Sequence, residues 1–207
     1  CAQWAAQTPE GFRFSMKAPR HLVQRRDLSS TIEAASAFLQ AAVALGDRLG
    51  PLLWQFDPQH PADAAALDAF MAQLPRQLDG TGLQHALEVR NASVHGPELV
   101  EAARRHGVAL VIEDSDESPL HGDITAGFVY ARIKRSQARL AEGLPQPMQQ
   151  RWEAMLSKAE EEAPKIQQEA RNAPSVTDQA REAGRQVQQN TTRAQSLPPR
   201  PAQPPQV

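Results

Sequence analysis

Gln84-His85-Ala86-Leu87-Glu88-Val89-Arg90-Asn91-Ala92-Ser93 is a short apolar run that closes on two opposite charges two residues apart. Side chains of a strand alternate between faces with a period of two, so Glu88 and Arg90 share one face while Leu87 and Val89 take the other. A pair of charges therefore points into whatever the first face encloses. Similar apolar runs ending in polar residues lie on both sides of this one, separated by helix-like segments. The repeat predicts a (β/α) architecture with a polar cluster at the strand ends.

Upstream, Thr8-Pro9 ends a short helix that contains Trp4, because the residue before proline is pushed out of the helical region. Phe12-Arg13-Phe14-Ser15-Met16-Lys17 then alternates, with Phe12, Phe14 and Met16 on one face and Arg13, Ser15 and Lys17 on the other, until Pro19 stops it. From Leu28 to Leu45, Ile32, Ala35, Phe38, Leu39, Ala42, Val43 and Leu45 recur at helical spacing, with Ser29 or Ser30 to cap the start and Gly46 to stop the run. Leu52-Leu53-Trp54-Gln55-Phe56 reads as a buried strand ended by Asp57-Pro58, and 63–74 as a helix. The loop Asp79-Gly80-Thr81-Gly82 leads into the central strand.

Downstream, Pro97 suits the first turn of a helix that His106-Gly107 ends. Val108-Ala109-Leu110-Val111-Ile112 stays apolar until Glu113-Asp114, as in a parallel strand covered on both faces. Thr125 to Ile133 reads as a fifth strand, with Phe128, Tyr130 and Arg132 on one face. Five strands alternating with helices imply an α/β fold with a parallel sheet and right-handed crossovers, either doubly wound or a barrel. No G-x-G-x-x-G or G-x-x-x-x-G-K-[ST] turn follows any strand, which disfavours the nucleotide-binding versions.

Past Gln146 the composition shifts. Met148 to Ser157, with Trp152, Met155 and Leu156, is an amphipathic helix, but from Lys158 onward Glu, Gln, Ala and Arg dominate. Ile166, Val176 and Val187 are too widely spaced for a helix seam, and Pro164, Pro174 and Gly184 interrupt the run. The end is proline-rich, so 158–207 is expected as a frayed helix passing into a mostly disordered tail, without fixed contacts to the rest.

The 22 Lys and Arg against 24 Asp and Glu give a net charge of -2, which offers no general attraction to nucleic acid or to an anionic membrane. An anion site must therefore be local. The single cysteine, Cys1, excludes an internal disulfide framework and fits a reducing, cytoplasmic setting. No apolar run reaches the length of a membrane span. The chain opens on Cys rather than Met and is read as a fragment of a longer product, the alternative being a lipoprotein acylated at Cys1.

In four blocks, Phe12 to Arg20, Leu49 to Phe56, Glu88-Val89-Arg90 and Phe128-Val129-Tyr130-Ala131-Arg132, the chain resembles the YecE-like family, domain-of-unknown-function family 72. The resemblance covers about residues 4–157. It implies a TIM-barrel-like repeat, incomplete at both ends, with no settled activity. Residues 1–157 are then a partial barrel domain whose first and last strands lack their outer neighbours. Gln24 stands where the family often has histidine, Val94 where it often has Trp, and Lys134-Arg135 where it often has His-Gly.

TIM barrels build their sites at the C-terminal strand ends. By that rule the ligand-binding candidates are Lys17, Arg20, Gln55, Arg90, Tyr130 and Arg132, with Glu88 and Asp114 as candidate acid or base. Cations outnumbering carboxylates suit a phosphate or carboxylate, so the partner expected is an anionic small molecule or a nucleic-acid phosphate. The alternatives are a non-catalytic binding module, a salt-bridge network that only satisfies buried charges, and a truncated inactive family member. The six histidines show neither H-E-x-x-H nor i, i+4 pairing, so no metal is expected, nor any cofactor. The acidic run Glu113 to Glu117 lacks EF-hand spacing and reads as a solvated loop. Ser15 and Ser93 have no G-x-S-x-G elbow, which disfavours acyl transfer.

Overall fold

The computed structural model describes residues 1–114, 122–133 and 145–172. In chain order these form α1 (Ala2–Gln7), β1 (Phe14–Lys17), α2 (Arg20–Val23), α3 (Thr31–Ala34), α4 (Ser36–Val43), β2 (Leu49–Phe56) and α5 (Ala64–Gln73). There follow β3 (Gln77–Leu78), β4 (Thr81–Gly82), β5 (His85–Val89), α6 (Pro97–His106), β6 (Ala109–Leu110), β7 (Ile112–Asp114), β8 (Ala131–Ile133) and α7 (Gln146–Asn172). The chain divides into two units, Cys1–Ala170 and Arg171–Val207, and the packing described below is that of the first.

The main sheet has the order β1-β2-β5-β6, all parallel, and β7 pairs with β8, also parallel. Only Val111 separates β6 from β7. Its N–H donates to Leu87 O at 2.9 Å, and the next N–H, of Ile112, donates to Tyr130 O at 2.9 Å. The run Ala109 to Asp114 thus hands its pairing from β5 to β8, so five parallel runs follow one another in sequence order. This is the α/β fold with a parallel sheet that the alternation of elements predicts. No barrel is closed among the described residues. The sheet nevertheless curls, since Ser15 Oγ on its first strand lies 3.0 Å from Tyr130 Oη beside its last.

The alternation of side chains sorts the two faces. Leu52, Trp54 and Phe56 of β2 and Leu87 and Val89 of β5 join Leu22, Leu67, Phe70, Leu99 and Ala103 in the core beneath the helices. Leu53 and Ala86, one residue out of phase, instead meet Ala109, Val111 and Ala126 on the inner face. Trp54 is fully buried and meets Phe70 and Phe38 edge-on, with ring centroids 5.3 and 5.8 Å apart. Local signals set the helix ends. The Asp63 carboxylate caps α5 by accepting from Ala66 N at 2.8 Å, and Gly107, at φ 68°, ends α6 with its N–H on Ala103 O and Arg104 O.

Several elements differ from the sequence reading. The helix expected from Leu28 to Leu45 is broken at Ala35 into α3 and α4. The Asp79-Gly80 loop is a tight hairpin joining β3 to β4, both residues having positive φ as an Asp-Gly turn requires. The fifth strand begins only at Ala131, because Thr125 Oγ1 accepts from Leu110 N at 2.9 Å and donates to Val108 O at 2.7 Å. A side chain there takes the strand edge that backbone groups were expected to pair with.

The helix starting at Gln146 continues past residue 157 to Asn172, and Pro164 sits on its exposed side. Ala159 and Ala163 are buried beside Trp152 against Ile112 and Ile124, and Lys158 Nζ donates to Gly122 O at 3.0 Å. The expectation of no fixed contacts from residue 158 therefore does not hold for 158–166, where small alanines allow close approach. Residues 173–207 lie outside the described residues. A Cβ added at Gly127 would stand 2.7 Å from Gln167 Cβ and 3.0 Å from its Cγ, too close for the helix to keep its place. Gly127→Ala should lower stability by about 1–3 kcal/mol in chemical denaturation and speed amide exchange along α7; an unchanged midpoint would show that α7 does not rest there.

His85 ties the core to a proton. Its Nδ1 accepts from Trp54 Nε1 at 3.1 Å, which leaves Nε2–H to donate to Pro75 O at 2.8 Å and fixes the neutral tautomer. Burial pushes its pKa below the ordinary 6.5, against a smaller opposing effect of the Pro75 bond. The unfolded chain then binds a proton that the folded chain refuses, so this contribution is complete above about pH 6.5 and is lost as pH falls below it. Unfolding free energy should drop by up to about 1.4 kcal/mol per pH unit as pH falls below about 6.5. His85→Gln should flatten that slope, and an unchanged slope would assign it to other groups.

Candidate functional site

Parity places the charges. Gln55 stands opposite Glu88 across the β2–β5 ladder, and both share the inner face with Leu53 and Ala86. The Glu88 side chain is only 3% exposed, yet it ends amid donors. Gln55 Nε2 donates to its Oε1 at 2.6 Å, Arg90 Nε stands 3.5 Å from the same oxygen, and Arg132 Nη1 donates to Oε2. The amide orientation this imposes on Gln55 turns its Oε1 toward Lys17 Nζ, which donates to it. Arg90 Nη2 also lies 3.9 Å from Oε1 of Glu113, a second buried carboxylate.

One network therefore runs across the sheet through Lys17, Gln55, Glu88 and Arg132, with Arg90 spanning Glu88 and Glu113. Its geometry suits positioning. Both oxygens of Glu88 are engaged by donors, so the carboxylate serves as an anchor for two guanidinium planes. The side chains of Arg90 and Arg132 remain 25% and 32% exposed, which leaves part of each cation toward solvent.

Five of the expected residues, Lys17, Gln55, Glu88, Arg90 and Arg132, are thus brought together, and two, Tyr130 and Arg20, are engaged elsewhere. Tyr130 shares the inner face, but its hydroxyl meets Ser15, whose own hydroxyl donates to Pro51 O at 3.0 Å. Arg20 pairs with Asp57 at 2.9 Å, away from Glu88. The side chain of Asp114 lies outside the described residues.

Glu113 was assigned to a solvated loop, and the strand period from Val111 was the signal that would have placed it inward. Each buried histidine also has a local role: His60 Nδ1 accepts from Ala62 N at 3.1 Å, and His85 serves the core as described. Among the described residues no group of three or more His, Cys, Asp or Glu is placed to hold a metal ion. A separate cavity of about 410 Å³ opens on the opposite face of β5 between Leu87, Leu99, Leu110 and Arg104, remote in orientation from the charged network.

Comparison with known proteins agrees with the fold. A crystal structure of a DUF72 family protein from Thermotoga maritima MSB8 superposes with a TM-score of 0.58 at 19% identity, covering 75% of this chain and 65% of that one. This chain thus spans somewhat under two thirds of that protein's length. No curated protein matches. Among the described residues no helix is long and apolar enough to cross a membrane. The family profile described as protein of unknown function DUF72 matches residues 1–206, and the chain belongs to that family.

Proposed function

We propose that the network at the strand ends binds an anionic group, a phosphate or a carboxylate, within a TIM-barrel-like repeat of which these five parallel runs are a part. The observation that carries the reading is the anchoring of Arg90 and Arg132 by one buried carboxylate, Glu88. Among the described residues of the network three cations, Lys17, Arg90 and Arg132, stand with two buried carboxylates, Glu88 and Glu113, a balance that suits an anionic ligand. Guanidinium groups held in this way are preorganised for bidentate binding of an oxyanion and lose little side-chain entropy on binding it. Glu88 holds the cations, and if the site performs chemistry, the acid or base is a group the ligand meets directly.

The competing reading is a salt-bridge network with no ligand. Orthophosphate or sulfate distinguishes the two. At about a hundred times its Kd the anion should raise the melting temperature by about 5 °C or more, and Arg132→Met, compared with its own anion-free melting temperature, should lose the rise. No rise in the parent, or the same rise in the variant, would leave the network a purely structural device.

A further inference from the structure

Beyond the Glu88 network, the chain leaving β1 and the chain leaving β2 close on one another. His60, buried, donates from Nε2 to Arg25 O at 3.0 Å, accepts from Ala62 N at 3.1 Å on Nδ1, and packs edge-on to Phe56 at 5.0 Å. Those contacts bind the loop after β2 to the segment after α2 and leave an open cleft of about 500 Å³. Its polar lining is His60 with Arg20, Gln24, Arg26, Asp57 and Gln59.

Two arginines, Arg20 and Arg26, thus line the cleft with one carboxylate, Asp57. Arg20 holds Asp57 at 2.9 Å while 72% of its own side chain stays exposed, and Gln24 Nε2 donates to the same oxygen at 3.3 Å. The cleft adjoins the inner network, since Gln55 and Asp57 are two residues apart along β2 and its exit. Asp57 also registers the charge of one inner cation, Arg90. Its carboxyl is held below the usual range first by the Arg20 hydrogen bond, then, against the effect of burial, by Gln24 and by the charges of Arg20 and Arg90.

We infer that the cleft lined by Arg20, Gln24 and Arg26 is a second anion subsite, so that the ligand of this face is a small molecule carrying two or more anionic groups. The inference rests on the anion-binding reading of the inner network. It supplies the substrate class: a phosphate or carboxylate at Arg90 and Arg132, with a second anionic group reaching Arg20 and Arg26.

Orthophosphate, pyrophosphate and tripolyphosphate, titrated at one ionic strength without divalent cations, form a series of increasing span. Tripolyphosphate should bind about tenfold or more tighter than orthophosphate, the effect of one additional charge-assisted contact. In the Arg20→Met, Arg26→Met double variant that advantage should fall to about twofold, while in Arg105→Met, an exposed arginine of α6, it should persist. An advantage that survives in the double variant overturns the second subsite alone. Orthophosphate binding that is absent, or insensitive to Arg132→Met, overturns the inner reading on which it rests. Arg20 and Arg26 are exposed, so an unchanged ligand-free melting temperature will establish that the double variant folds.

Discussion

Glu88→Gln lowers the unfolding free energy by about 3 kcal/mol or more. The substitution preserves shape and removes charge, so packing is unchanged and the loss reports electrostatics alone. Arg132 and Arg90 then face a neutral amide that must turn one NH2 toward donors already present, including Gln55 Nε2. Breaking one partner of a buried charge pair is far costlier than the pair's net value, because the remaining charge stays desolvated. Arg90→Met should cost less, since Glu88 keeps Gln55 and Arg132 and the arginine is itself partly exposed. Urea denaturation of both variants, with unchanged m-values, provides the comparison. A loss below about 1 kcal/mol for Glu88→Gln would mean that solvent reaches this cluster and that Glu88 does not organise it.

Trp54→Ala has the other large effect, about 5 kcal/mol, comparable with the whole stability of many domains. Trp54 is fully buried, stands edge-on to Phe38 and Phe70, and donates to His85 Nδ1. Truncation leaves a cavity and also strips a buried acceptor of its donor, so two penalties add. Trp54→Phe separates them, because it keeps most of the volume and removes only the indole N–H. It should cost about 1–3 kcal/mol. If the two variants lose the same amount, the hydrogen bond rather than the cavity dominates. A loss under about 2 kcal/mol for the alanine variant would place Trp54 outside the main core.

The parts of the fold legible in the sequence are those where side-chain period alone decides the outcome. Leu87 and Val89 against Glu88 sorted the two faces of β5, and Pro97 and Gly107 marked α6 to the residue. The misread parts are those where a specific atom replaces the expected partner. Thr125 Oγ1 occupies the backbone of Val108 and Leu110, so the apolar residues that follow do not extend a strand until Ala131. The segment from Lys158 shows no seam of large apolar residues, yet Ala159 and Ala163 recur with Trp152 and Ile166 at helical spacing and set α7 against Ile112 and Ile124.

At the candidate site, the inward charges of β2 and β5 followed from period two, but which cations reach Glu88 did not. Arg132 crosses past β7 to do so, whereas Arg20, nearer in sequence to Lys17, is taken by Asp57. Long flexible side chains choose among several carboxylates, and only the fold determines which is within reach.

The claim that the Glu88-anchored cations receive an anion is tested most directly by observing those cations. In protein labelled with nitrogen-15 arginine, titration with orthophosphate should shift the Nε–H resonances of Arg90 and Arg132 along one saturable curve and leave that of the exposed Arg105 in place. Resonances of Arg90 and Arg132 that stay fixed, or that move no more than that of Arg105, would contradict the account.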